Sequence, residues 1–200
     1  MTYDFLVETY ATERLKVLSV WSMFRDEDLP VRPHPTDPRG RSFLEQMVHQ
    51  CMSEDLWFRE MLEIDSGRPA LPPAETRLGF IEHYAAASAT RLAALESKHE
   101  AWWAGEVRFF DVGRSRAWVM LRRIAHTSHH RGQQTAMLRM LNRDLHSTYG
   151  PTADTGGLPK SGGRTLYAYE DLDTLLEDAA EGRRKARLPE PGTGPVTERP

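Results

Sequence analysis

Three of the eight histidines of this chain fall within five residues, at positions 126, 129 and 130. Each residue of an α-helix turns about 100° around the axis, so His126 and His130 would lie about 40° apart and one turn from each other. Both imidazoles could then reach one metal ion, which is the arrangement of histidines at positions i and i+4 in zinc enzymes. His129 would lie about 60° to the other side of His126 and is predicted to be a supporting or surface residue.

Two histidines leave a metal ion with too few ligands, so a third ligand must come from another helix. His49 is the best candidate, because it lies in the middle of the second predicted helix and away from the apolar face of that helix. Such a position suits either an exposed histidine or the wall of a polar pocket. Three neutral imidazoles bind zinc, nickel, copper or iron(II) and leave at least one coordination position open. An open position can hold water or a thiol as a deprotonated nucleophile.

Polar residues near the histidine pair have separate predicted roles. Gln133 falls on the same line of the helix as His126 and is the best candidate to support a ligand. Arg122 and Arg123 precede His126 by one turn and could hold an anionic substrate group or pair with acids of a neighbouring helix. Arg131 points away from the histidine pair, which favours a structural role. The remaining histidines have no partner at ligand spacing and are predicted to be exposed: His34, His83, His99 and His146.

Four amphipathic stretches predict long helices, at residues 3–25, 42–64, 76–98 and 115–142. The second helix begins with a capping box, in which Ser42 is the N-cap residue and Glu45 is the third residue of the helix. The fourth helix is apolar on most sides, which is typical of a central helix or of a dimer interface. Four such helices, with polar clusters on the second and fourth, predict an all-α fold, a near-antiparallel four-helix bundle.

The segments outside these helices are rich in aromatic residues, glycine and proline. Residues 100–114 contain Trp102, Trp103, Phe109 and Phe110, which either pack over one end of the core or form an aromatic wall beside a substrate site. Residues 107–112 could form a short strand. A long loop is predicted at residues 143–168, a short helix at residues 169–185, and disorder after Pro189. We expect a bundle at residues 1–145 and a loop-rich extension at residues 146–200 that packs on the bundle or trails from it.

The composition is that of an ordinary soluble protein, with 40% hydrophobic and 28% charged residues. A net charge of −3 and the lack of a basic stripe argue against binding to nucleic acid. The sequence contains no long uncharged apolar run and no signal peptide, so we expect a cytoplasmic protein that does not enter a membrane. Cys51 is the single cysteine, cannot form an internal disulfide, and is predicted to be buried among apolar residues.

His49 on the second predicted helix and His126 on the fourth are followed by the string His129-His130-Arg131-Gly132-Gln133. With these residues, the chain resembles the DinB/YfiT-like metalloprotein superfamily over roughly residues 1–145. The resemblance implies a four-helix bundle in which His49, His126 and His130 hold a divalent metal ion, either zinc, nickel or iron. It also implies a homodimer. Members with known activities include thiol-dependent transferases and isomerases that use bacillithiol or mycothiol, and many members have no assigned reaction.

Two functions fit these observations. The first is a metal-dependent enzyme, of the thiol-dependent transferase, isomerase or hydrolase type, that acts on a small molecule and uses a low-molecular-weight thiol as cosubstrate. The second is a non-catalytic metal-binding module of a stress response, in which the ion clamps the second and fourth helices. A ferritin-like di-iron site is rejected, because it needs two Glu-x2-His pairs and the sequence has one, at Glu96 and His99. No residue is assigned a catalytic role.

Overall fold

Helices make up most of the computed structural model of this chain, which describes residues 2–181, 185–189 and 197. The α-helices are α1 (Asp4–Met23), α2 (Phe43–Glu60), α3 (Arg77–Glu96), α4 (Glu100–Ala104), α5 (Arg116–Met140) and α6 (Leu172–Glu181). A β-hairpin, formed by β1 (Glu106–Phe109) and β2 (Val112–Ser115), connects α4 to α5. Short 3-10 helices lie at Asp26–Asp28, Ala153–Thr155 and Pro159–Ser161.

Polar caps fix where three of the long helices begin, namely α2, α3 and α5. The predicted capping box is present at α2, where the Glu45 amide donates to Ser42 Oγ at 3.2 Å and the Ser42 amide donates to Glu45 Oε2 at 2.8 Å. Thr76 caps α3 and Ser115 caps α5 through their side-chain oxygens. Each cap satisfies an amide that has no partner within the helix, so the start of each helix is encoded locally. The register of the site residues on α2 and α5 follows from these starts.

The apolar core has two parts along the helices. The first part joins α1, α2, α3 and α5, and it includes five residues from beyond position 144: Leu145, Ala168, Tyr169, Leu175 and Ala179. The second part joins the other ends of the long helices to Trp103 of α4. The glycine- and proline-rich segment therefore folds back onto the helices, and α6 packs against α1 and α3. The predicted division of the chain at residue 145 stays a prediction.

The aromatic segment before α5 is more ordered than the loop predicted for it. Trp103 is 2% exposed and packs in the second part of the core, as expected for residues that cover one end of the helices. The predicted short strand at residues 107–112 is instead two strands, paired with Phe109 opposite Val112. Phe110 lies in the turn between them, is 60% exposed, and has a positive φ of 53°. The segment therefore contributes both to the core and to the surface.

The prediction of exposure for four isolated histidines was only partly right. His34 and His99 are exposed, whereas His83 is half-buried and His146 is buried. The ring of His146 lies inside the folded-back segment, with Nε2 at 2.6 Å from the carbonyl oxygen of Ala186. The error has a physical reason, because a loop that packs on a core buries residues that local sequence cannot distinguish from exposed ones.

The last helix begins later than predicted. The predicted range was 169–185, whereas α6 begins at Leu172 and is described as far as Glu181; residues 182–184 lie outside the described residues. The predicted disorder after Pro189 lies almost entirely outside the described residues. Among the described helices, none is both long enough and apolar enough to cross a membrane.

Candidate metal centre

Helices α2 and α5 bring the three predicted ligands together. His49, His126 and His130 each offer a ring nitrogen, and these nitrogens all lie within 4.8 Å of one another. The two nitrogens Nε2 of His126 and Nε2 of His130 are 3.3 Å apart. Two nitrogens that bind one tetrahedral ion at about 2.0–2.1 Å are about 3.3–3.4 Å from each other, by the tetrahedral angle. The spacing of this pair therefore fits a divalent ion, and the ring nitrogen of His49 is close enough to complete a three-nitrogen donor set.

The three rings lie close together without stacking. The ring centroid of His49 is 4.7 Å from that of His130 and 5.4 Å from that of His126. Their planes are inclined by 56–74° to one another, so the ring nitrogens can point at a common centre instead of past each other. His130 is buried, and the other two are half-buried. His49 is therefore not a fully exposed histidine, because its ring lies against the rings of His126 and His130.

The imidazoles are held in the neutral form that binds metal. Burial, followed by the Arg123 guanidinium and the neighbouring imidazoles, lowers the pKa of His126 to about 3. Burial and the nearby ring of His49 lower the pKa of His130 to about 4. Burial also lowers the pKa of His49. The lone pairs of these rings are therefore available at neutral pH, because protonation is disfavoured by both desolvation and mutual repulsion.

Gln133 supports one of the ligands, as its position on the helix predicted. Its Oε1 atom lies 3.0 Å from Nδ1 of His130, so the ring can donate its N–H to the amide oxygen and leave Nε2 free as a ligand atom. Its Nε2 atom lies 3.1 Å from Nε2 of His129. His129 is exposed, is outside the three-histidine group and takes the surface position predicted for it.

Arg123 ties α2 to α5 directly beside the histidines. Its guanidinium donates to Ser53 Oγ at 2.9 Å and to Thr127 Oγ1 at 3.1 Å, and it pairs with the carboxylate of Glu54 at 3.4 Å. Two roles were predicted for Arg123, and the observed one is the pairing with an acid of a neighbouring helix. The side chain of Arg122 is exposed. The link fixes the separation of the two helices that carry the ligands.

A buried network of charges and tyrosines lies behind the site, and the sequence analysis missed it. Glu54 is fully buried and accepts hydrogen bonds from the hydroxyls of Tyr10 at 2.7 Å and Tyr84 at 2.8 Å. The side chain of Arg91 pairs with Glu54 at 3.5 Å and with Asp55 at 3.1 Å. Burial, followed by the charge of Glu54, raises the pKa of both tyrosines.

A signal for this network was present in the sequence. Glu54 and Asp55 lie between Cys51 and Phe58, on the dense apolar face of α2, where an acid is costly unless it is paired. Cys51 itself is buried as predicted, and burial raises the pKa of its thiol. Arg131 also has the predicted structural role, because it is buried and pairs with Glu13 of α1.

Trp57 is a second neighbour of the site that the sequence analysis did not identify. Its ring centroid is 5.5 Å from that of His126, with the two planes inclined by 31°. Phe109 and Phe110 of the hairpin contact the other parts of the indole edge-on, at 5.1 Å and 6.3 Å between centroids. The aromatic residues predicted to form a wall beside the site therefore reach the histidines only through Trp57, which belongs to α2.

Comparisons with known proteins concern the family and the fold of the chain. The family model described as "DinB family" matches residues 3–156. Among solved structures, the chain is similar to a DinB-like protein from Bacillus cereus, with a TM-score of 0.60 and 16% identity, over 72% of this chain and 95% of that one. At that identity the likeness shows the fold alone. No curated protein matches the sequence.

Proposed function

Because the chain belongs to the DinB family, we propose that it is a divalent-metal-binding protein in which His49, His126 and His130 hold one ion. The observation that supports this proposal most is the convergence of three ring nitrogens within 4.8 Å of one another. Three imidazoles suit zinc, nickel or iron(II), which all accept nitrogen ligands. The rings of His49 and His126, which are half-buried, would leave part of the ion accessible to a small molecule.

We further propose the finer architecture of the family. The four long helices α1, α2, α3 and α5 would form a near-antiparallel bundle at residues 1–145, with residues 146–200 as an extension packed on it. The protein would act in the cytoplasm as a homodimer. Sedimentation of the purified chain measures its molar mass as a function of concentration, and a monomer at all concentrations would exclude the dimer.

The reaction we propose is metal-dependent chemistry on a small molecule, with a low-molecular-weight thiol or water as the nucleophile. A divalent ion with three imidazole ligands supplies Lewis acidity and a position at which a thiol or water is deprotonated. Gln133 would keep the proton of His130 on Nδ1, away from the ion. Arg123 would hold α2 and α5 at a fixed distance, and Trp57 would exclude water from one side of the site.

Turnover of a mixed panel tests this reaction. Metal-loaded protein is incubated with small thiols and with electrophiles such as epoxides, maleimides and activated esters. We expect at least one pair to react about 100-fold faster with the wild-type protein than with the His126→Ala variant, the scale that several kcal/mol of Lewis-acid stabilisation gives. Equal rates for both proteins across the panel would contradict an enzymatic role.

A second candidate is a non-catalytic stress-response module, in which the ion clamps two helices. The observation that favours it is that the ligands come from α2 and α5, so one ion would bridge separate elements. Melting with and without a chelator distinguishes the two candidates in combination with the turnover panel. A large fall in Tm on metal removal, without turnover, would favour the module.

Replacement of Gln133 by leucine should weaken metal binding without unfolding the protein. The change removes the acceptor that orients His130, and loss of such a supporting group costs about 10- to 100-fold in metal affinity. Competition with a fluorescent chelator measures the dissociation constant. The Leu121→Ala variant is the control, because Leu121 is 54% exposed on the same helix, more than two turns before His130, and this variant should bind metal as the wild type does. Equal affinities for all three proteins would show that Gln133 does not support the site.

A further inference from the structure

Four aromatic rings form a continuous path from the histidines to the surface. We call them the aromatic lip: Trp57, Phe109, Phe110 and Trp118. Trp57 contacts the ring of His126, Phe109 contacts Trp57 at 5.1 Å, and Phe109 also contacts Phe110 at 4.8 Å. Trp118 of α5 completes the lip, at 5.0 Å from Phe109.

The lip changes from buried to exposed along its length. Trp57 is 7% exposed, whereas Trp118 is 38% and Phe110 is 60% exposed. The inner end therefore belongs to the core and to the wall of the histidine site, and the outer end presents apolar rings to solvent. Exposed apolar rings that are continuous with a polar pocket are typical of ligand sites.

The backbone conformation of Phe110 is an unfavourable one for a bulky residue. Its φ of 53° lies in the left-handed region, at the first position of a tight hairpin turn. Glycine is the usual residue at such a position, since a bulky side chain is strained there. A phenylalanine that is both strained and mostly exposed adds little to the core. Strain of this kind is found at ligand sites, where the surrounding structure maintains it.

We propose that the aromatic lip binds the ring-bearing apolar part of the substrate while its reactive polar group lies at the three histidines. The substrate class is then a small molecule with an aromatic or similarly flat unsaturated group next to a thiol or an electrophilic centre. This inference rests on the proposed function. Gln133 and His129 lie on the His130 side of the site, and the lip lies on the His126 side. The occupant is a small molecule because the lip is continuous with the ring of a ligand histidine.

The first arm of the test does not depend on metal. The probe 2-phenylethanol is titrated into metal-free protein, and the indole N–H signals of the five tryptophans are followed by NMR. We expect Trp57 and Trp118 to shift, and the signal of the fully buried Trp21 to stay unchanged. Cyclohexylethanol should bind about threefold more weakly, because it lacks the ring stacking that an aromatic pair provides.

The decisive variant is Phe110→Gly. Glycine relieves the left-handed strain, so we expect its Tm to equal or exceed that of the wild type while the affinity for 2-phenylethanol falls about three- to tenfold. Phe5→Ala is the matched control, because Phe5 is 55% exposed on α1 and lies outside the lip. Unchanged affinity in Phe110→Gly would overturn the inference. A change in subunit association without a change in probe affinity would also overturn it, because the lip would then be an interface between copies of the chain.

The second arm links the lip to the histidines. With metal-loaded protein, 2-phenylethanethiol should bind at least about tenfold more tightly than ethanethiol, and Phe110→Gly should reduce this ratio without a change in metal content. An equal ratio in both proteins would show that the lip does not serve the site, and would overturn the inference. If the protein holds no metal, the proposed function fails, and the first arm alone decides whether the lip binds rings.

Discussion

Replacement of Glu54 by glutamine should lower the free energy of unfolding by about 3–5 kcal/mol, the cost of removing one partner from a buried ion pair. The carboxylate is fully buried and lies within 3.5 Å of the guanidinium groups of Arg91 and Arg123. Glutamine has the same shape but no charge, so both guanidinium groups would lose a compensating anion. For a chain of this size, the corresponding fall in Tm is roughly 6–20 °C. Urea denaturation and thermal melting measure the change.

The Glu60→Gln variant is the control for this experiment. Glu60 lies on the same helix and pairs with Arg59, but its side chain is 57% exposed. Exposed pairs contribute little, so its stability should change by less than about 0.5 kcal/mol. Equal stabilities of the two variants would contradict the importance of the buried network. A further effect is expected at the metal site, because Glu54 also holds Arg123, which fixes α2 against α5.

The His130→Ala variant should lose the stabilisation that metal gives to the wild-type protein. An ion present at about 1,000 times its dissociation constant adds about 4 kcal/mol to stability, or roughly 8–16 °C in Tm for a protein of this size. Removal of one of three ligands should abolish most of this gain, because the two remaining imidazoles, His49 of α2 and His126 of α5, leave the ion with too few protein ligands. Differential scanning calorimetry with zinc, with nickel and with a chelator measures the shift.

The control for this prediction is His83→Ala. His83 is half-buried as His126 is, but it lies on α3, outside the three-histidine group. Its variant should keep the full metal-dependent shift in Tm. A shift that survives in His130→Ala, or one that disappears equally in both variants, would argue that any bound metal lies elsewhere on the protein.

Local features of the sequence predict much of the fold and part of the candidate metal centre. The start of α2 follows from the Ser42 cap, and the facing of His126 and His130 follows from their spacing on a helix, because both depend on neighbours in the chain. The position of His49 was inferred from its place off the apolar face. These features depend only on residues close together in the sequence, and the period of the helix converts their spacing into positions on the helix surface.

The remaining features depend on contacts between elements that are far apart in sequence. Glu54 takes its partners from α1, α3 and α5, so the spacing of residues gives no indication of them. Trp57 reaches His126 because the two helices pack at that level. The burial of His146 depends on the return of the C-terminal segment to the core. The hairpin turn at Phe110 lacks the glycine or asparagine that marks most such turns, which is why the sequence predicted a loop.

In the proposed metal centre, three imidazoles from two helices share one ion. X-ray absorption by the metal-loaded protein can detect this centre, because the spectrum reports the type, number and distance of the ligand atoms. We expect nitrogen ligands at about 2.0–2.1 Å, with outer-shell scattering from three imidazole rings that decreases to two in the His49→Ala variant. A spectrum with no imidazole scattering, or one unchanged by the loss of His49, would contradict this proposal.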